Sequence, residues 1–343
     1  MKNKLLITML VLTCILATVL TGCKSKDNNN ADNGSVNNET VDETNQNGTN
    51  EDSEDTSQSN TETVIVKDVK GEVEIPANPQ RIVDLSGNSD ILSILGYKVV
   101  GTANSDAYDY TKFPSYLEEV LEGATILGYS MQDTMDIEAV MNVEPDLIII
   151  STVQEKMYDQ LKEIAPTVMI QLEALNWKDD IMAIAGVFGK EDVATEWITS
   201  YEQKAKAAGD AIKSLVGEDK SYLSFLASGG QFFVFSGAGF GSVLYDDMGL
   251  NVPEGMPEQS DISLPVVSYE GLASIKADYI FAIATKEDLA ELESNPIWNN
   301  LDAVKEGNVI VLDASPYFNQ GYSPIGRELL LDEIVEMLNE IKK

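Results

Sequence analysis

The sequence predicts an α/β fold in which two Rossmann-like lobes, each with a mostly parallel sheet, are joined by one long helix. Short β-branched runs alternate with short amphipathic segments over most of residues 63–343, a pattern typical of parallel sheets covered by helices. One segment interrupts the alternation. Residues 190–216 contain no proline and a single glycine, and their apolar side chains fall near one stripe of a helix. We therefore predict a first lobe at 63–187, a connecting helix at 188–217 and a second lobe at 218–343.

An internal repeat supports the division into two lobes. The sequence DIEAVMNVEPDLIII, which begins at Asp136, is echoed by SYEGLASIKADYIFA, which begins at Ser268. In both copies a glutamate precedes an aspartate by eight residues. Asp136 and Ser268 are N-cap candidates, so each copy predicts a short helix that leads into a buried strand. Each lobe thus carries one glutamate, Glu138 or Glu270, in the first turn of an equivalent helix.

The individual elements follow from local patterns. Residues 63–76 contain two alternating runs joined at Lys70-Gly71, which predicts a hairpin. Further strands are predicted at 82–85, 99–102, around 126, and at 147–151, 167–170, 222–227, 232–237, 279–283 and 309–312. Besides the two repeat helices, helices are predicted at 154–164, around 242–248 and at 324–341.

The first 62 residues predict an export signal and a tether. Lys2 and Lys4 precede the apolar stretch Leu5–Leu20, which at 16 residues is short for a membrane span. We assign residues 1–22 to a signal peptide. The sequence that ends at Cys23 resembles the lipobox of bacterial lipoproteins, and the resemblance implies cleavage before Cys23 and lipidation of its thiol. An ordinary secretory signal is the alternative. Residues 23–62 are polar and acidic, so we expect a disordered tether.

Composition excludes several classes of function. The chain has 23 Lys and Arg against 57 Asp and Glu, a formal net charge of −34, so nucleic acid would be repelled. Histidine is absent, which excludes Ser-His-Asp and Cys-His catalysis and imidazole ligation of metals. The two cysteines, Cys14 and Cys23, belong to the signal and the lipid site. We therefore expect a folded part without disulfides that is stabilised by its core.

The chain resembles the ferric-siderophore and cobalamin class of solute-binding lipoproteins of ABC transporters. The resemblance rests on NPQRIVDL, LGYKVVG, the two repeat segments and the long helix, and it spans nearly everything after the tether. It implies a monomer without enzymatic activity, held at the outer face of the cytoplasmic membrane by a lipid anchor. It also implies a shallow cleft between the lobes, limited closure, and delivery of a small-molecule metal chelate to a permease dimer with its ATPase.

In proteins of that class a glutamate on each lobe docks into arginine pockets of the permease, and the resemblance assigns this role to Glu138 and Glu270. A simpler explanation exists for each one. A carboxylate in a first helical turn is favoured by the helix dipole, by about 0.3–1 kcal/mol, with no partner required. Because Glu138 and Glu270 occupy the same position in the two copies of a repeat, the docking role is favoured.

The ligand cleft is expected where strands end in turns, at the carboxyl edges of the sheets. The candidate ligand-binding residues are Ser86, Asn88, Asn104, Tyr108, Tyr110, Tyr129 and Gln154 from the first lobe, and Phe232, Phe240, Tyr317, Phe318, Tyr322 and Arg327 from the second. Taken singly, each aromatic residue is more often core packing than a ligand contact. The aromatic residues in polar turns, Tyr108 with Tyr110 and Tyr317 with Phe318 and Tyr322, are the strongest candidates.

The scarcity of arginine bears on the chelate. A ferric tris-catecholate carries several negative charges and needs clustered basic residues, whereas the chain has only Arg81, which we expect to be structural, and Arg327. A ferric hydroxamate is therefore favoured, although Lys112, Lys156 or Lys286 could supply charge. No resident cofactor or protein-held metal is expected. Cobalamin or haem is the alternative ligand, with Met131 and Met157 as candidate haem ligands.

Two alternatives belong to other functional classes. GAGFGS at 237–242 resembles part of a dinucleotide fingerprint but has Ser242 in place of the third glycine. The other alternative is a cell-surface lipoprotein that hydrolyses by a carboxylate pair or acts as an adhesin. No identifiable pair of carboxylates supports that alternative in the sequence.

Overall fold

The computed structural model describes residues 62–172 and 175–342. The predicted signal peptide, the lipidation site Cys23 and the predicted tether up to residue 61 lie outside the described residues. The boundaries proposed for the lobes stay predictions, and "first lobe" and "second lobe" below denote the two sheets with the helices that cover them.

The first lobe is built on five parallel strands, preceded by a hairpin. In chain order its elements are β1 (Thr63–Lys67), β2 (Glu72–Pro76), β3 (Ile82–Asp84), α1 (Ser89–Ile94), β4 (Val99–Thr102), β5 (Thr125–Ile126), α2 (Ile137–Asn142), β6 (Leu147–Ser151), α3 (Tyr158–Leu161) and β7 (Thr167–Ile170). Short 3-10 turns lie at Ser115–Leu117 and Thr152–Met157. The strand order is β5-β4-β3-β6-β7, and every pairing is parallel. The predicted parallel sheet of this lobe is confirmed.

Two consecutive helices lead from the first sheet to the second. These are α4 (Trp177–Phe188) and α5 (Glu191–Val216), and α5 is 26 residues long. Gly189 ends α4 in the left-handed conformation, with φ of 60°. The long helix predicted from the absence of proline is therefore present.

The second lobe has a mixed sheet. Its elements are β8 (Tyr222–Ser228), β9 (Gln231–Val234), α6 (Gly239–Ser242), β10 (Val266–Val267), α7 (Tyr269–Ser274), β11 (Tyr279–Ala284), α8 (Lys286–Ser294), α9 (Asp302–Lys305), β12 (Val309–Asp313), α10 (Ala314–Gln320) and α11 (Pro324–Ile341). A π-helical turn lies at Val243–Asp247 and a 3-10 turn at Trp298–Asn300. The strand order is β10-β9-β8-β11-β12. Strands β8, β11 and β12 are parallel, and β9 and β10 are antiparallel to their neighbours.

The largest hydrophobic cluster joins the two lobes through α5. Tyr201, Ala205 and Ile212 of α5 are fully buried in a cluster that contains residues of both sheets and of α4 and α11. The single glycine of α5 marks the closest approach. A Cβ at Gly209 would lie 1.8 Å from the carbonyl oxygen of Met248, so only glycine allows the helix to pack this tightly against the second lobe.

The internal repeat is present in three dimensions. Helices α2 and α7 each have six residues, and each is capped by the predicted residue, Asp136 or Ser268. The aspartates of the repeat act alike. Asp146 accepts hydrogen bonds from the backbone N–H groups just before β3, and Asp278 accepts from the backbone N–H of Ser221, just before β8. In each lobe the aspartate thus fastens the start of a neighbouring strand.

Two helical predictions are refined. Residues 154–164 form a 3-10 turn followed by the short α3, because Gln154 departs from helical geometry and its side chain accepts from Ser151. Residues 242–248 lie mostly in the π-helical turn.

Candidate ligand cleft and docking face

An aromatic cluster spans the space between the lobes. Tyr110 stacks on Tyr129 with ring centroids 5.1 Å apart, and Tyr108 meets Phe318 edge to face at 6.3 Å. Asn319 Nδ2 of α10 donates to the hydroxyl of Tyr129 at 3.5 Å. The tyrosines come from turns after β4 and β5, whereas Phe318 and Asn319 come from the second lobe. We call these five residues the aromatic cluster. It lies where the sequence predicts a cleft, at the carboxyl edge of the first sheet.

The turn after β3 is shaped by the buried carboxylate of Asp84. It accepts hydrogen bonds from the backbone and hydroxyl of Ser86, from the backbone of Asn88 and from the hydroxyl of Ser89. Burial raises the pKa of Asp84, and the hydrogen bonds oppose this. Asn104 braces the same turn, because its Nδ2 donates to the carbonyl of Gly87 and its Oδ1 accepts from Ser89 N. Ser86, Asn88 and Asn104 thus hold the turn.

The two tyrosines of the β4 turn are presented to solvent. Asp106 Oδ1 accepts from the backbone N–H groups of Tyr108 and Asp109, which closes a tight turn. Tyr108 and Tyr110 remain 46% and 50% exposed. Partial burial of the side chain, with Asp288 and Asp106 nearby, raises the pKa of Tyr108 to about 12. The phenol therefore stays protonated at neutral pH and can donate a hydrogen bond to a ligand.

The second-lobe side of the cleft depends on close glycine packing. A Cβ at Gly239 would lie 2.8 Å from the ring of Tyr322, and one at Gly321 would lie 2.4 Å from the backbone nitrogen of Phe240. The GAGFGS segment therefore makes room for the Gly321-Tyr322 turn, so packing accounts for its glycines without a dinucleotide. Burial raises the pKa of Tyr322, and its half-buried ring lies beside the aromatic cluster.

Four predicted ligand residues lie in the core. Gln154 is fully buried, and its Nε2 donates to the carbonyls of residues 130 and 132. Phe232 packs in the second-lobe core against Phe225, and Phe240 packs against Phe281. These side chains pack in the core because they lie on the inner faces of their elements. Tertiary contacts decide which face is the inner one, and the local sequence does not show it.

Arg327 is the fourth. It is 3% exposed, pairs with Asp247 and donates to Ser242 Oγ. Its guanidinium lies 5.1 Å from the ring of Trp177, and Tyr201 donates to the same Asp247 at 2.6 Å. Arg327 thus braces α11 against α5 and the π-helical turn, and it does not line the cleft.

Tyr317 is half-buried and lies near Glu333 of α11, outside the aromatic cluster. Two further residues were not predicted from the sequence, Asn319 of the aromatic cluster and Ser315, whose hydroxyl donates to Asp106. Asn319 lies inside a polar turn that the sequence singles out, so that signal was present for it. Nothing in the local sequence marks Ser315.

Glu138 and Glu270 are both exposed, and each is the second residue of its helix. Ser268 Oγ donates to Glu270 Oε2 at 2.9 Å. Hydrogen bonds from its own backbone N–H and from Ser268 lower the pKa of Glu270. Both helices begin after loops that leave the carboxyl side of their sheets, so the glutamates lie on the edge that bears the cleft.

A separate cavity of about 570 Å³ lies at the opposite edge of the second sheet. Its walls include Leu223 and Ile280, the second residues of β8 and β11, and parts of α7 and α9, and they contain no aromatic side chain. It therefore does not belong to the aromatic cluster.

Among residues 62–172 and 175–342, no helix is long and apolar enough to cross a membrane. Over the same residues, no three acidic, histidine or cysteine side chains are grouped to hold a metal ion.

Comparison with known proteins agrees with this architecture. Residues 87–316 match the model of the periplasmic binding protein family. The chain is similar to the iron(3+)-hydroxamate-binding protein YxeB of Bacillus subtilis, with 31% identity over 98% of this chain and 97% of the relative. It is also similar to the iron(3+)-hydroxamate-binding protein FhuD of the same organism, with 32% identity over 83% of this chain and 89% of the relative.

Solved structures show the same fold. A FhuD fold-family protein of Bacillus subtilis, a periplasmic binding protein component of a Fep/Fec-like ferrichrome ABC transporter, matches with a TM-score of 0.66 and 29% identity over 80% of this chain and all of the other. Staphylococcus aureus SirA, complexed with staphyloferrin B, matches with a TM-score of 0.65 and 26% identity over 81% of this chain and 99% of the other. The chain belongs to the periplasmic binding protein family, a class of solute-binding proteins.

Proposed function

We propose that this protein binds an iron(III) siderophore of the hydroxamate type outside the cell and delivers it to an ABC importer. The observation that carries the proposal is the aromatic cluster between the lobes. It offers exposed aromatic faces, phenol hydroxyls and an amide donor, which suit a compact chelate whose iron is already fully coordinated. In this proposal iron is cargo, and the protein needs no resident cofactor and performs no catalysis.

The preference for a hydroxamate ligand rests on the contacts that the two arginines make within the protein. Arg327 is buried with Asp247, and the guanidinium of Arg81 donates to the carbonyls of Val143 and Glu144 at the end of α2. Neither arginine is free to neutralise an anionic catecholate or carboxylate chelate. The acidic carboxylate of Asp106 beside the cluster further disfavours an anionic ligand. The hydroxamate ligands named for the two relatives point the same way.

A binding titration tests the proposal. The chain from residue 24 onward would be titrated with a ferric trihydroxamate (ferrioxamine B), a ferric tris-catecholate (ferric enterobactin), cobalamin and haem, with quenching of intrinsic fluorescence as the readout. We expect saturable binding of the trihydroxamate and much weaker binding of the catecholate. Phe318→Ala should weaken binding, whereas Tyr158→Ala, a matched aromatic deletion outside the cleft, should not. Tighter binding of the catecholate would contradict the hydroxamate assignment.

The proposed partner is a permease dimer with its ATPase, which the protein contacts through Glu138 and Glu270. In this proposal the protein is a monomer, and lipidation of Cys23 holds it near the membrane. Exposed carboxylates on both lobes suit charge-assisted pairs with permease arginines. The double reversal Glu138→Arg with Glu270→Arg should abolish uptake of the iron chelate by cells and leave the affinity of the isolated protein unchanged. Glu163→Arg, an exposed reversal on another surface, is the control. Loss of affinity in the double variant would assign the glutamates to the ligand cleft.

A further inference from the structure

The segment Ser315–Ser323 is fastened to the first lobe at both of its ends. Ser315 Oγ donates to Asp106 Oδ2, and Ser323 Oγ donates to Asp90 Oδ2 at 2.5 Å. These bonds join residues 209 and 233 positions apart. Both acceptors are buried, with 2% exposure at Asp106 and 1% at Asp90. Between the two serines lie Phe318 and Asn319, the second-lobe members of the aromatic cluster.

Asp106 holds both sides of the cleft with one carboxylate. Its Oδ1 accepts from the backbone N–H of Tyr108 at 2.8 Å, whereas its Oδ2 accepts from Ser315. Tyr108 is the first-lobe partner of Phe318 in the edge-to-face pair. A single buried side chain therefore binds both chain segments that carry these two rings.

Asp90 acts at the start of α11. Ser323 is the N-cap of this helix, and its hydroxyl accepts from Gly326 N at 3.1 Å while it donates to Asp90. Asp90 itself lies in the first turn of α1, directly after the turn shaped by Asp84. These two hydrogen bonds thus link the first turn of α1 in the first lobe to the N-terminus of α11.

We propose that Asp90 and Asp106 are positioning residues for ligand binding: through Ser323 and Ser315 they hold the 315–323 segment in the geometry that the ligand requires. This inference rests on the proposed function. Burying two carboxylates is costly unless each is well hydrogen-bonded, and packing alone would be served as well by apolar side chains. A prearranged site lowers the entropy lost by side chains when the ligand binds, and so it raises affinity.

Removing either end of these hydrogen bonds should weaken ligand binding. Ser315→Ala, Ser323→Ala and Asp106→Asn should each weaken binding of ferrioxamine B about tenfold, the factor that corresponds to about 1.4 kcal/mol. Ser323→Thr keeps a capping hydroxyl and should retain affinity. Ser268→Ala is the matched control, because it also removes an N-cap serine but breaks no contact between the lobes. In a double-mutant cycle, Asp106→Asn and Ser315→Ala should be non-additive.

A second measurement does not depend on the ligand. Hydrogen–deuterium exchange of peptides that cover residues 315–323 should quicken in Ser315→Ala and Ser323→Ala and stay unchanged in Ser268→Ala. Failure of the unmodified protein to bind any ferric chelate would overturn the proposed function. The exchange experiment would then still show whether Ser315 and Ser323 hold the 315–323 segment in place. Unchanged exchange in both serine variants would overturn the positioning role, as would unchanged affinity in a protein that binds the trihydroxamate.

Discussion

Replacing Asp90 by Asn should change how the stability of the fold depends on pH. Burial raises the pKa of Asp90 from 3.8 to about 6, against hydrogen bonds from Ser323 and from the backbone at Ile91 and Ile325 that lower it. Repulsion by Asp84 of β3 also raises the pKa of Asp90. Since one pKa unit corresponds to about 1.36 kcal/mol, the shift of about two units corresponds to roughly 3 kcal/mol.

The sign follows from proton binding. Between pH 3.8 and about 6 the folded protein holds a proton on Asp90 that the unfolded chain has released. The contribution of Asp90 to the free energy of unfolding therefore grows as pH falls from about 7 toward 4, and it is lost as pH rises through about 6. Asn cannot ionise, so the variant lacks this dependence. Relative to the unmodified protein, Asp90→Asn should gain up to roughly 3 kcal/mol between pH 4 and pH 7.5.

Urea unfolding at a series of pH values between 4 and 7.5 measures this difference. Many other carboxylates titrate in the same range, but they are shared by both proteins and largely cancel in the difference. Asp332→Asn, an exposed substitution on α11 with the same change of formal charge, serves as the control, and its difference in stability from the unmodified protein should stay nearly constant across the range. A difference between Asp90→Asn and the unmodified protein that stays constant within about 0.5 kcal/mol across the range would refute the reasoning.

Two further predictions concern the packing of the long helix and the buried ion pair. Gly209→Ala should destabilise the protein by about 1–3 kcal/mol in thermal or urea unfolding, because the new methyl group would collide with the carbonyl of Met248. Gly186→Ala is the control, since its nearest neighbour would lie at 3.8 Å, and a cost comparable to that of Gly209→Ala would contradict the argument. Arg327→Ala leaves Asp247 buried and unpaired, so it should cost about 3–5 kcal/mol while the folded fraction binds ligand with unchanged affinity. A specific loss of ligand affinity in that folded fraction would show that Arg327 contributes to the ligand site.

Much of the fold was accessible from the sequence because its signals are local. The strand at 147–151 and the helix at 324–341 have the predicted bounds, since each is a periodic run with clear ends. The edge strand β10 was missed, because two residues cannot show an alternation. The sequence predicts an ordinary helix around 242–248, where the structure has a π-helical turn at Val243–Asp247, since apolar spacing alone does not distinguish the two.

The site was less accessible, and the reason is the distance along the chain between its parts. Tyr108 and Phe318 could be singled out because aromatic side chains in polar turns rarely have a core to enter. Phe232 has the same chemistry but lies in a strand whose inner face is decided by sheet packing. The bonds from serines to Asp90 and Asp106 join segments more than 200 residues apart, and no local pattern distinguishes those serines from ordinary caps.

The repeat separates into a part that the fold requires and a part that it does not. Asp146 and Asp278 recur because each fastens the start of a neighbouring strand through backbone N–H groups, and this structural task accounts for both. No comparable task accounts for Glu138. Its helix is already capped by the carboxylate of Asp136, which supplies the negative charge that the helix dipole favours. In the first lobe the exposed Glu138 is therefore a second carboxylate that the stability of α2 does not require, which supports the docking role proposed for it.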